Sequence, residues 1–142
     1  MKTKFSSIVS LRKKDMQVCE LAMMQNESKI VNKQIQIENL QKDFLQLKIP
    51  QAGTFYAFKA FEETKNMLLT HISLARNELE ALFAHRKVLQ EQYKKCNIEY
   101  EKVHFLDKKE HNEMIKNAKY KEKLEVDEIA VMLYNNAGGR AI

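Results

Sequence analysis

Residues 44–58 read Phe44-Leu45-Gln46-Leu47-Lys48-Ile49-Pro50-Gln51-Ala52-Gly53-Thr54-Phe55-Tyr56-Ala57-Phe58. This stretch holds the chain's single proline and one of its three glycines, the other two being Gly138 and Gly139. Residues 1–49 and 54–137 therefore contain neither Gly nor Pro, and Pro50 and Gly53 lie between them. Proline lacks an amide hydrogen and clashes with the preceding turn, so a helix arriving from the N-terminal side stops near Lys48 or Ile49. Thr54 is an N-cap residue type and opens the next helix. The pattern predicts one helix over 3–48, a turn over 49–54, a second helix over 55–135 and a frayed tail over 136–142.

Apolar spacing supports this outward from the turn. Counting back from Phe44 in sevens gives Ile37, Ile30, Met23, Met16 and Val9, all apolar. With these as heptad a positions, the d positions are Phe5, Arg12, Cys19, Asn26, Lys33, Leu40 and Leu47. In the second segment the d positions run Phe61, Leu68, Ala75, Leu82, Leu89, Cys96, Val103, Glu110, Asn117, Leu124 and Val131. Its a positions include Phe58, Ile72, Leu79, Tyr93, Tyr100 and Met114. A 3.5-residue repeat sustained this long keeps one seam facing a partner helix. The expected fold is all-α, a single domain of two long helices in an antiparallel coiled-coil hairpin, with the second helix longer and overhanging.

At 1.5 Å per residue the helices should measure about 65 Å and about 115 Å. Centring the turn near residue 52 places Phe5 near residue 100 and leaves 101–135 as a charged overhang. The same register puts Cys19 opposite residue 86, with its sulfur about 15 Å from that of Cys96. Polar residues interrupt both frames, so the spacing alone leaves the register open.

The chain has 142 residues, 44% apolar and 30% charged, with a net charge of +5. That is too apolar for disorder, and its longest apolar run, 129–134, is too short to cross a bilayer. The opening Met1-Lys2-Thr3-Lys4-Phe5 leads into serines and charges, which reads against a secretory signal. Two cysteines 77 positions apart, with no CxxC pair, suit free thiols in a reducing compartment. Five basic and no acidic residues fall in the first fourteen. Such an end can meet an acidic protein, a membrane surface or nucleic acid.

Catalysis finds little to work with. His104 and His111 are about 10 Å apart along one helix, too far to share a metal, and no Cys/His ligand spacing occurs. Glu62/Glu63, Glu99/Glu101 and Asp127/Glu128 point to different helix faces. No Gly-rich phosphate cradle is present. The expectation is no catalytic residue, no metal and no cofactor. Nucleic-acid binding through Lys2, Lys4, Arg12, Lys13 and Lys14 is disfavoured, because Asp15 and Glu20 interrupt the basic run early.

The aromatics are more informative. Phe44, Phe55, Tyr56, Phe58 and Phe61 crowd into eighteen residues around the turn. Phe44, Phe58 and Phe61, with Leu47, can simply close the seam there. Phe55 and Tyr56 fall outside the a and d positions and suit anchors for a partner's pocket.

Three segments carry a family likeness. Lys4-Phe5-Ser6-Ser7-Ile8-Val9-Ser10-Leu11-Arg12-Lys13-Lys14 resembles the "F..LL.LR" opening of the FliJ family, the flagellar type III export stalk proteins. Tyr56-Ala57-Phe58-Lys59-Ala60-Phe61 resembles the family's aromatic stretch after the turn, and Glu122-Lys123-Leu124-Glu125-Val126-Asp127-Glu128-Ile129-Ala130 its "E.KELDEIA" close. The resemblance implies an antiparallel coiled coil similar to the central stalk of rotary ATPases. It implies a cytoplasmic protein, peripheral at the inner face of the cell membrane, whose partners are the hexameric export ATPase (FliI), the export gate (FlhA) and export chaperones.

Carried onto this chain, the gate contact falls on Phe58, Phe61 and Leu68 with Phe44 opposite, to which the off-seam Phe55 and Tyr56 are added. Lys65 stands where the family has an aliphatic residue. The candidate ring contacts are Lys4, Arg12, Lys13 and Lys14 at the basic start, and Asp127 and Glu128 in the charged overhang. The alternatives are the stalk of a virulence type III secretion ATPase or a generic coiled-coil scaffold.

Overall fold

The computed structural model describes residues 2–140. Two helices account for nearly all of them: α1 over Ser6–Leu45 and α2 over Phe55–Arg140. No strand occurs among the described residues. The fold is the expected helical hairpin with a longer second helix. The chain divides into two compact units, one formed by Met1–Lys14 with Asn97–Ile142, the other by Asp15–Cys96.

The start of α1 is fixed by short polar side chains. The Thr3 amide donates to Ser6 Oγ at 2.9 Å, and Thr3 Oγ1 accepts from the Phe5 amide at 3.1 Å. These bonds satisfy amides that the first helical turn leaves without intrahelical partners. The carbonyl of Thr54 accepts the amides of Ala57 at 3.0 Å and Phe58 at 3.4 Å, which puts Thr54 at the N-cap of α2.

α1 stops at Leu45, short of the expected 48. Its last turn tightens where the Leu47 amide reaches the Phe44 carbonyl at 3.2 Å, and residues 47–50 then run without regular structure. At the other end α2 is helical to Arg140, so the expected tail is helical as far as that residue, and 141–142 lie outside the described residues.

In the Asp15–Cys96 unit the heptad frames hold at every buried position. Ile30, Ile37, Leu68, Ile72, Ala75 and Leu89 form the apolar core, and Asn26 is the buried polar residue among them. All seven sit at a or d. Burial of this stripe stabilises the pair by about 1.5–3 kcal/mol for each large aliphatic side chain.

The register differs from the one centred on residue 52. Cys19 Sγ lies 3.3 Å from Cys96 Sγ, not about 15 Å away. Leu45 therefore stands level with residue 70, about 15 residues or about 22 Å beyond the start of α2. Residues 46–54 must make up that distance, and nine residues can reach about 30 Å when extended. The connection is a strap laid along the start of α2, with Leu47 and Pro50 half-buried. A tight turn would have brought Cys19 to residue 86. In the first unit the shift has the same sense: Thr3 Oγ1 bonds Asp107 and Lys4 lies 4.0 Å from Glu110, so Phe5 sits beyond residue 100. The stretch unaccompanied by α1 begins correspondingly later, and every residue from 116 to 137 is exposed.

Candidate functional surfaces

The side chains read as gate contacts all belong to the Asp15–Cys96 unit. They divide into two groups by burial. Phe55 is 75% exposed and Tyr56 78%, their rings edge to face with centroids 6.2 Å apart. Phe58 is also exposed, at 45%, although it occupies a seam position. The strap explains this: α1 has ended before it reaches the level of Phe58. Phe44 and Phe61 are half-buried, and Leu68 is buried in the core. Leu68 therefore supports the surface from beneath, and Phe55, Tyr56 and Phe58 are the side chains that present area to solvent. Lys65 is half-buried between Phe61 and Leu68 along the seam.

The side chains read as ring contacts all belong to the other unit. Lys13 and Lys14 are exposed. Lys4 is held loosely, with Nζ 4.0 Å from Glu110 and 5.3 Å from the centre of the Phe5 ring. An exposed pair of this kind contributes at most about 1 kcal/mol and is screened by salt. Arg12 is half-buried at its d position. Asp127 and Glu128 are exposed and lie about 25 Å along α2 beyond Glu110. The structure does not gather the basic start and these two acids into one patch.

Polar residues in the seam were read as interruptions, and the structure gives them work. Asn26 Nδ2 donates to the Leu82 carbonyl at 3.2 Å. Lys33 Nζ pairs with Glu78 and also donates to Gln36 Oε1 at 2.9 Å. Arg86 grips Glu27 with two bonds, Nε to Oε1 at 2.5 Å and Nη2 to Oε2 at 2.9 Å. The Arg86 guanidinium also sits 5.2 Å from the centre of the Phe83 ring. The sequence carried a signal for this. Sliding the frames until Cys19 met Cys96 would also have brought Arg86 and Glu78 within about one helical turn of the positions facing Glu27 and Lys33, opposite charges in both cases.

The two thiols are half-buried. The Cys19 thiol is held above its ordinary value near 9.0, chiefly by its hydrogen bond with Cys96, then by burial and by the neighbouring Cys96 and Asp15 charges. His104 stacks on Tyr100 with centroids 5.4 Å apart. No group of three His, Cys, Asp or Glu able to hold a metal occurs among the described residues, and no helix there is long and apolar enough to cross a membrane.

Two long paired helices, the second longer than the first, define the class of helical-hairpin proteins. Within that class the model of the family described as flagellar FliJ protein matches residues 1–139, nearly the whole chain. The chain belongs to the FliJ family, and with it to the flagellar export apparatus. No curated protein and no solved structure matches it.

Proposed function

We propose that this protein is the stalk of a flagellar type III export apparatus, binding the export ATPase ring at one surface and the export gate at another, and helping to deliver chaperoned substrates. It acts without catalysis of its own, in the cytoplasm at the inner face of the membrane. Family membership supports the setting. The observation that carries the reading is the exposed aromatic face of Phe55, Tyr56 and Phe58, which the strap leaves uncovered by α1. Large aromatic rings left in water at one end of a hairpin are the composition of a binding hot spot. The gate contact falls there, with Phe44, Phe61 and Leu68 setting its shape.

The ring contact falls on Lys4, Lys13 and Lys14, with Arg12 shaping the seam beneath them and Asp127 and Glu128 adding unlike charge further along α2. A single asymmetric shaft meets like subunits with unlike contacts and so favours different conformations around a ring.

The test is ATP hydrolysis by the cognate export ATPase titrated with this protein, in parallel with capture of the cytoplasmic part of the gate. Wild type is expected to stimulate hydrolysis and to bind the gate. Lys13→Glu with Lys14→Glu should lose stimulation and keep gate binding; Phe55→Ala with Tyr56→Ala should do the reverse. Both pairs of positions are exposed, so helicity should not change. Wild type that neither stimulates nor binds would overturn the reading.

A further inference from the structure

We propose that Cys19 and Cys96 form a reversible intramolecular disulfide, made by exchange with a small-molecule disulfide of the glutathione type, that locks α1 against α2 in the register seen here. The two sulfurs lie 3.3 Å apart across the seam, at d positions of both frames. A disulfide needs them about 2.05 Å apart, so closure asks for a shift of little more than an ångström. Both residues are partly open to solvent, which gives a small disulfide access to them. Both belong to the same compact unit, and both sit within helical turns.

The chemistry balances without any other reactant. The thiolate of one cysteine attacks a sulfur of glutathione disulfide, whose S–S bond breaks and releases one glutathione thiolate. The second cysteine, deprotonated, attacks the protein sulfur of the mixed disulfide, forming the Cys19–Cys96 bond and expelling the second glutathione. Two cysteine thiols are oxidised, one glutathione disulfide is reduced to two thiols, and the two cysteine protons end on them. The second step is favoured by position, since the partner sulfur is already in contact. The bond closes a loop of nearly eighty residues, which constrains the unfolded chain far more than the folded one.

The test uses the full chain, reduced, dilute and without denaturant, incubated with excess glutathione disulfide, quenched in acid and weighed. Wild type should lose two hydrogens, carry no glutathione and remain a monomer. Its midpoint for unfolding in urea should rise and return on adding reductant. Cys96→Ser should stop at the adduct with one glutathione. A wild-type monomer carrying two glutathiones, a disulfide-linked dimer, or a midpoint that falls on oxidation would each overturn the proposal. So would thiols that stay reduced in buffer while the same chain oxidises in urea.

Discussion

Replacing Asn26 with leucine exchanges a register device for apolar burial, and the magnitudes can be worked from its surroundings. Asn26 is 4% exposed, donates one bond to the Leu82 carbonyl, and keeps Oδ1 buried with no hydrogen-bond partner. Losing the bond costs about 1 kcal/mol, while removing the unsatisfied oxygen returns about 1–3 kcal/mol. Leucine adds about 1–2 kcal/mol of apolar burial and loses about 1 kcal/mol to crowding. Asn26→Leu should therefore be more stable than wild type, by up to about 3 kcal/mol, read as a higher urea midpoint at unchanged slope. Specificity should suffer, because a buried asparagine tolerates only the alignment that gives it a partner. Spin labels at Ser28 and Lys87, both exposed, should show one narrow distance in wild type and a broadened distribution in the variant. A variant less stable than wild type by about 1 kcal/mol would refute the energetic reasoning. A stabilised variant with one narrow distance would move the control of register to the Lys33–Glu78 and Glu27–Arg86 pairs.

Ile30 is 1% exposed, the most buried side chain among the described residues, and Ile30→Ala should cost about 3 kcal/mol in urea unfolding. A loss below about 1 kcal/mol would mean that the seam collapses around the gap. Because the Cys19 thiol is raised in the fold, it steadies the protein below the ordinary thiol range, and that contribution fades as pH climbs through the raised value. Cys19→Ser should flatten the alkaline limb of stability relative to wild type, and identical limbs would contradict the direction.

The seam was legible because its signal is periodic. Each buried residue repeats at seven, and one frame per helix placed Ile30, Ile37, Leu68, Ile72, Ala75 and Leu89 correctly. The register was not, because a period fixes which face turns inward without fixing how far one helix has slid along the other. That offset was carried by Asn26, Lys33, Arg86 and the two cysteines, which look like faults when each helix is read alone. The strap was hidden for a related reason. Pro50 marks where a helix must have ended, and α1 ends five residues earlier, at Leu45. Burial of Leu68 and exposure of Phe58 both follow from that offset. The exposure of Phe55 and Tyr56 was legible in the sequence, since they lie outside the frame in any register.

Residues 116–137 continue α2 with every residue exposed, among them Leu124, Ile129, Val131, Met132 and Leu133. As a separate peptide such a segment would first have to form a helical turn, which is the unfavourable step. Here the helix arrives already started from the paired region, so each further residue needs only propagation. A protein that grips this segment meets a ready helix at near-neutral free energy. Compared with a disordered tail of the same sequence, it surrenders less of its contact energy to ordering the chain.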